Sequence, residues 1–146
     1  MPLDVVFRHV ALSVSDLDRS IAFYRDLFGY TVSLVLDFPS ERRLGTLVGM
    51  PDASARIAHL TLGEAVLELL EYRVPRGRPI PADRTQADNG LSHVAFDSKD
   101  IHSDCEALRR RGIRFYSDII ELRPGVFSVY FYGPDGETCE LRQVAA

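Results

Sequence analysis

The stretch Phe7-Arg8-His9-Val10-Ala11-Leu12 returns later in the chain as Leu91-Ser92-His93-Val94-Ala95-Phe96. The offset persists beyond the two copies, because Asp16-Leu17 and Asp100-Ile101 stand in the same relation. Each Asp sits where a strand should end, and its carboxylate is suited to accept the free N–H groups of a following helix. Ser20 to Phe28 carries Ile21, Tyr24, Leu27 and Phe28 at helical spacing, with Gly29 as the stop. Asp104 to Arg111 carries Cys105 and Leu108, with Gly112 as the stop. Each half closes on a similar strand, Ala65-Val66-Leu67-Glu68-Leu69-Leu70 and Glu137-Thr138-Cys139-Glu140-Leu141-Arg142. Between helix and closing strand there is room for two more strands, Tyr30 to Phe38 and Arg56 to Leu62 in the first half, Ile113 to Ile119 and Val126 to Tyr132 in the second. Both halves read strand-helix-strand-strand-strand. The fold class expected is therefore α+β, with two tandem βαβββ modules over residues 5–72 and 90–144 of a single domain spanning 1–146.

Two stretches fall outside this pattern. Tyr72 to Asn89 is rich in Pro, Arg, Gly and Asp and reads as the connection between modules. Pro39 to Ala55 reads as irregular, and loops of that length in compact domains serve as lids and binding loops as well as plain surface. A length of 146 residues with 46% hydrophobic composition suits one globular unit with a real core. A net charge of −4 supplies no broad basic face, so nucleic acid and anionic membranes are poor partners and small molecules are the better expectation. No apolar run approaches the roughly 20 residues that cross a bilayer, and no basic leader precedes one, which reads as a cytoplasmic protein. Cys105 and Cys139 form no Cys-x-x-Cys pair and read as buried thiols.

The repeated residues include two histidines and two glutamates. Strand alternation sets Phe7, His9, Ala11 and Ser13 on one face, while Val6, Val10, Leu12 and Val14 fill the core side. Leu91, His93, Ala95 and Asp97 share a face opposite Val94 and Phe96. Glu68 lies between Leu67 and Leu69, and Glu140 between Cys139 and Leu141, so each carboxylate points away from the apolar neighbours that anchor its strand. An unpaired charge in such a place costs on the order of several kcal/mol, which a metal held by imidazoles and carboxylates offsets. His9, Glu68, His93 and Glu140 are thus the candidate ligands of one divalent ion. Ordinary strand histidines and a wet sheet face would explain any one of them alone, and it is the doubled His-plus-Glu register that favours the metal. His59 and His102 lack counterparts in the other half and are assigned to structure. Glu71, on the face opposite Glu68, is the alternative ligand if the register slips by one.

With these residues in hand, the chain resembles the vicinal oxygen chelate superfamily, the glyoxalase/bleomycin resistance/dioxygenase group that includes glyoxalase I, methylmalonyl-CoA epimerase, extradiol dioxygenases and fosfomycin-resistance proteins. The matching motifs are His9-Val10-Ala11-Leu12 through Asp16-Leu17-Asp18-Arg19-Ser20, Phe23-Tyr24-Arg25-Asp26-Leu27-Phe28-Gly29, Val66-Leu67-Glu68-Leu69, His93-Val94-Ala95-Phe96, and Gly133-Pro134-Asp135-Gly136 before Glu140-Leu141. The resemblance implies paired modules whose curved sheets form an open-barrel cleft around a metal, commonly in a homodimer. It maps the ligands onto His9, Glu68, His93 and Glu140. It further implies a lyase or isomerase like lactoylglutathione lyase, in which the ion stabilises an enediolate made from a 2-oxo or 2-hydroxy carbonyl substrate, with Glu140 or Glu68 as the base.

The ligand set discriminates among the family's chemistries better than the fold does. Extradiol dioxygenases resemble an iron site of two His and one carboxylate, and a fourth ligand at Glu68 argues against that alternative. A non-catalytic drug-binding or ligand-binding member would not need an intact ligand set. An epimerase of methylmalonyl-CoA type is the nearer alternative, although the Pro134-Asp135-Gly136 ending looks more like glyoxalase I. Against glyoxalase I, the place two positions after Tyr24, where that enzyme often carries a basic residue that helps hold glutathione, is Asp26. Arg73, Arg76, Arg78 and Arg84 in the connection would suit a carboxylate or phosphate on some other substrate, with surface solubility as the preferred explanation. Imidazole plus carboxylate suits nickel, zinc, cobalt, manganese or iron alike.

Overall fold

The computed structural model of the chain describes residues 1–40 and 42–145. Glu41, within the irregular stretch noted above, and Ala146 lie outside the described residues. The chain divides into two compact units, Met1–Pro79 and Ile80–Ala146. In the first, the order is β1 (Val10–Ser13), α1 (Leu17–Phe28), β2 (Thr31–Phe38), α2 (Arg42–Val48), β3 (Ser54–Leu62) and β4 (Ala65–Val74). In the second it is β5 (His93–Asp97), α3 (Ile101–Arg110), β6 (Ile120–Arg123), β7 (Val126–Tyr132) and β8 (Thr138–Val144). The sheets have matching strand orders, β1-β4-β3-β2 and β5-β8-β7-β6, with β1 parallel to β4, β5 parallel to β8, and the other neighbours antiparallel. Each module is an open mixed sheet with a helix after its first strand, which is the α+β βαβββ arrangement expected.

The helix starts follow from their caps. Asp16 accepts from the Arg19 N–H at 2.9 Å and Asp100 from the Ser103 N–H at 3.0 Å. A second cap is built from the closing strand of each module. Glu71 on β4 accepts from the Leu17 N–H at 2.7 Å, and Gln143 on β8 accepts from the Ile101 N–H at 2.7 Å. These bonds satisfy the donors that a helix N-terminus leaves open and tie each helix to the strand that carries the candidate ligand. Glu71 therefore serves α1, from the face opposite Glu68, and a one-residue slip would exchange the faces of the two carboxylates. At the other end of α1, Gly29 takes φ 77°, a left-handed conformation that ends the helix with its N–H on the Arg25 carbonyl.

Each core lies between helix and sheet. In the first unit α1 packs on β3 and β4 and buries Leu17, Ile21 and Tyr24, while the buried strand residues are Ala58, Leu60, Leu67 and Leu69. In the second, α3 packs on β8 and buries Ile101, Cys105 and Leu108, while Val129, Phe131, Cys139 and Leu141 are buried on the strands. Both cysteines are buried. By alternation, the faces with Glu68 and Glu140 are the ones turned away from these helices.

The structure differs from the sequence reading in three places. Pairing of β1 with β4 begins only at Val10, so Val6, expected on the core side, precedes the ladder and is exposed. The second strand of the later module is β6 at Ile120–Arg123, and not Ile113 to Ile119. That earlier segment meets β7 only through an isolated bridge between Phe115 and Phe131, flanked by two backbone bonds. The stretch read as irregular holds α2, whose Leu44 packs with Ala53 and Ala55 and against Phe38 and Tyr72. Ala55, Tyr72 and Phe38 are register partners on the same sheet face as Glu68, so α2 covers one end of that face.

Replacing the fully buried Leu69 by Ala should lower unfolding free energy by about 2–5 kcal/mol, because the helix–sheet layer cannot close over the void. Leu122→Ala, on the exposed β6, should stay within about 0.5 kcal/mol of the native value. Urea denaturation of the two variants checks both.

Candidate metal centre

The site is built from register. A two-residue turn at Gly63-Glu64 joins β3 to β4 and pairs Leu62 with Ala65. Three steps further along the ladder, His59 stands directly opposite Glu68. In the second unit the same place opposite Glu140 is taken by Tyr130. His9 and His93 enter from the parallel neighbours: His93 pairs with Thr138, two residues before Glu140, and His9 directly precedes β1, where Ala11 pairs with Glu68.

In the first unit two imidazoles converge on one carboxylate. His59 Nε2 lies 2.5 Å from Glu68 Oε2, and His9 Nε2 lies 3.5 Å from Glu68 Oε1. The imidazole rings stand 5.6 Å apart, and one donor atom from each of the three residues falls within 4.8 Å of the others. His9 Nδ1 is buried without a hydrogen-bond partner among the described residues. In the second unit His93 Nε2 lies 3.0 Å from Glu140 Oε2, and the Ser128 hydroxyl donates to Glu140 Oε1 at 2.6 Å. The Nδ1 of His93 is hydrogen-bonded to Ser92 Oγ at 2.7 Å, which leaves Nε2 to face the carboxylate. The carboxylates are the more enclosed partners, with side-chain exposures of 16% for Glu68 and 11% for Glu140.

Two tyrosines register these charges. The Tyr72 phenol is held above its ordinary pKa by burial and, secondarily, by Glu68. The Tyr130 phenol is raised in the same way, by burial first and then by Glu140. Tyr130 also lies against the His93 ring at 4.9 Å. Beyond it, the second unit holds a cavity of about 330 Å³ lined by Arg84, Gln86, Arg114, Tyr116, Tyr132 and Thr138 among others. Thr138 accepts from Gln86 and shares a bond with the Tyr116 hydroxyl, Tyr116 stacks on Tyr132 at 4.4 Å, and Arg114 lies over the Tyr132 ring.

His9 and Glu68 thus meet in one unit and His93 and Glu140 in the other, each pair within ion-pair distance. His59, assigned above to structure, is in the same cluster as His9 and Glu68. Its lack of a His counterpart hid it, but the Gly63-Glu64 turn and the period of two already place it across from Glu68. His102 is exposed on α3 and outside the cluster. Arg73 serves the fold, with its guanidinium on Asp37 and the Phe38 carbonyl. The donor chemistry fits a divalent ion of the borderline class, since imidazole nitrogens and carboxylate oxygens face one another with few other polar partners.

A model of the Glyoxalase/Bleomycin resistance protein/Dioxygenase superfamily matches residues 6–141. The chain belongs to this superfamily. Among the superfamily's curated proteins, a 2-epi-5-epi-valiolone epimerase from Actinomyces sp is 33% identical, covering 100% of this chain and 83% of its own. A probable lactoylglutathione lyase from Synechocystis sp. is 28% identical, covering 94% and 95%, and the mitochondrial methylmalonyl-CoA epimerase of Homo sapiens is 27% identical, covering 92% and 72%. In fold, the crystal structure of a glyoxalase family protein from Bacillus cereus matches with a TM-score of 0.87 at 19% identity, over 100% of this chain and 99% of that one. These curated relatives are named as lyases and epimerases. No helix among the described residues is long and apolar enough to cross a membrane.

Because burial is the larger cause of the Tyr130 shift, Glu140→Gln should move its ionisation back only part of the way to the ordinary tyrosine value. A raised phenol pKa means that the folded state keeps a proton the unfolded chain loses. The associated stability is present below pH ~10 and fades as pH rises beyond it. Ultraviolet titration of tyrosinate in native protein and variant checks the shift.

Proposed function

We propose that the protein is a divalent-metal-dependent isomerase or lyase of glyoxalase I type, with His9, Glu68, His93 and Glu140 as its metal ligands. The observation that supports this best is the repeated one: each sheet sets a glutamate against an imidazole Nε2, at equivalent register positions on the face turned from its helix. Two such pairs supply the two imidazoles and two carboxylates of the ligand set, and nickel, zinc, cobalt, manganese and iron all suit it. Bound there, the ion supplies a Lewis acid that draws electron density from a carbonyl beside a labile C–H bond.

The chain's own residues then handle the proton. Glu140 is the better base of the two carboxylates. One of its oxygens takes a neutral hydroxyl, from Ser128, whereas both oxygens of Glu68 face imidazoles. In a glyoxalase-type reaction Glu140 takes the proton from the carbon next to the carbonyl and returns it to the neighbouring carbon, while the hydroxyl proton passes from the first carbon's oxygen to the second's, so that a 2-oxo hemithioacetal becomes a 2-hydroxy thioester. Ser128 holds the carboxylate in place during the transfer. Tyr130 and the cavity lined by Arg84 and Arg114 accommodate the part of the substrate remote from the reacting carbon.

A second reading has its own support. The relative with 33% identity over the whole of this chain is named an epimerase, and epimerisation uses the same first step. Glu140 would remove the proton, and a second acid, for which Glu68 is the candidate, would return one to the same carbon.

Turnover of metal-reconstituted protein in deuterium oxide separates the readings. The glyoxalase reading expects a hemithioacetal to be converted to its thioester, with kcat in Glu140→Gln reduced about 10²–10⁴-fold and KM little changed. Deuterium entering a hydroxyketone at the carbon next to the carbonyl, with no hemithioacetal conversion, selects the epimerase. Absence of both reactions in metal-loaded protein overturns the proposal.

A further inference from the structure

The duplication is broken at one place within the candidate centre. Opposite its glutamate, the first module carries His59 and the second carries Tyr130. His59 Nε2 sits on Glu68 Oε2 while His9 Nε2 faces the other oxygen of the same carboxylate. Tyr130 has no corresponding bond, since Glu140 takes its hydroxyl from Ser128 and its imidazole from His93. The two modules therefore offer different donor sets, one with two imidazoles and a carboxylate, the other with one of each.

We propose that His59 is a further nitrogen ligand of the ion, so that the first module binds it through His9, His59 and Glu68. This rests on the metal-dependent reading above. The geometry carries it as follows. Donors about 2.0–2.2 Å from one ion lie no more than about 4.4 Å from each other. The three donor atoms already fall within 4.8 Å, so side-chain adjustments of a few tenths of an ångström suffice. Two imidazoles and one carboxylate are donors that borderline divalent ions accept together. The second imidazole also has consequences for the chemistry. Three donors from the first module would hold an ion without a contribution from Glu140, whose carboxylate would then be available to take a proton. His59 thus assigns the two glutamates their separate work, Glu68 as a held ligand and Glu140 as the mobile base.

The test loads copper(II) alone and counts coordinated imidazoles by electron spin-echo envelope modulation. The variants are His59→Gln and His59→Tyr, the latter placing on β3 the side chain that the second module carries at the equivalent position. His102→Gln, on the exposed surface of α3, is the control, and far-UV circular dichroism establishes that each variant is folded. The proposal expects one imidazole fewer in both His59 variants than in native protein and in the control. An unchanged count in a folded His59 variant that still takes up copper overturns it and reduces His59 to a hydrogen-bond partner of Glu68. Failure of the native protein to take up copper or zinc overturns the metal-dependent reading itself.

Discussion

A carboxylate on the open face of a sheet, enclosed on most sides, must find compensation for the water it has lost. In this protein that constraint acts twice, at Glu68 and at Glu140, and nearby side chains are arranged around it. Burying such a charge without a partner costs several times the roughly 0.5–1.5 kcal/mol that an ordinary hydrogen bond returns. Imidazoles from neighbouring strands approach at 2.5–3.5 Å, and a serine hydroxyl closes the remaining oxygen of Glu140. The fold makes this possible through register. The residue three positions on from each glutamate, Glu71 or Gln143, caps the helix on the other side of the sheet, so each closing strand is pinned between the core and the open face.

Much of this was legible in the sequence because duplication doubles every weak signal. A single His in a strand says little, but His9 and His93 recur with the same Asp-capped helix and the same closing strand, and the βαβββ order follows from their spacing. The role of Glu71 could be weighed from alternation alone and was decided by the backbone N–H of Leu17. What the repeat could not convey is whatever differs between the modules. His59 is paired with Tyr130 in the duplication, so a search for matched residues passes over it, and only the cross-strand count from the Gly63-Glu64 turn brings it to Glu68. The helix α2 is missed for a related reason. Seven residues with two Arg and a Gly show little periodicity, and Leu44 finds its place only against Ala55 and Tyr72, distant in sequence. The strand expected over Ile113 to Ile119 has the right composition, but its pairing with β7 stops at one bridge.

Membership of the superfamily and the arrangement of the side chains contribute different things. The family match and the solved neighbours establish the superfamily and the fold, whereas the asymmetry between His59 and Tyr130 is read from this chain's own register. A duplicated scaffold gives each copy the freedom to specialise once one of them suffices to hold a ligand in place. The first module has clustered imidazoles and α2 over one end, which suit the holding role proposed for it. The second has Ser128 on its glutamate and an aromatic, arginine-lined cavity, which suit the reacting role proposed for it.

The central proposal is that His9, Glu68, His93 and Glu140 are ligands of a divalent ion. Elemental analysis tests it most directly, on native protein refolded with a mixture of nickel, zinc, cobalt, manganese and iron, beside Glu68→Ala and His93→Ala variants. The account predicts near-stoichiometric metal in the native protein, its loss in Glu68→Ala, and in His93→Ala a weakened affinity that leaves only part of the metal after dialysis. Full metal in Glu68→Ala, full metal in His93→Ala after the same dialysis, or no metal in the native protein, would contradict it.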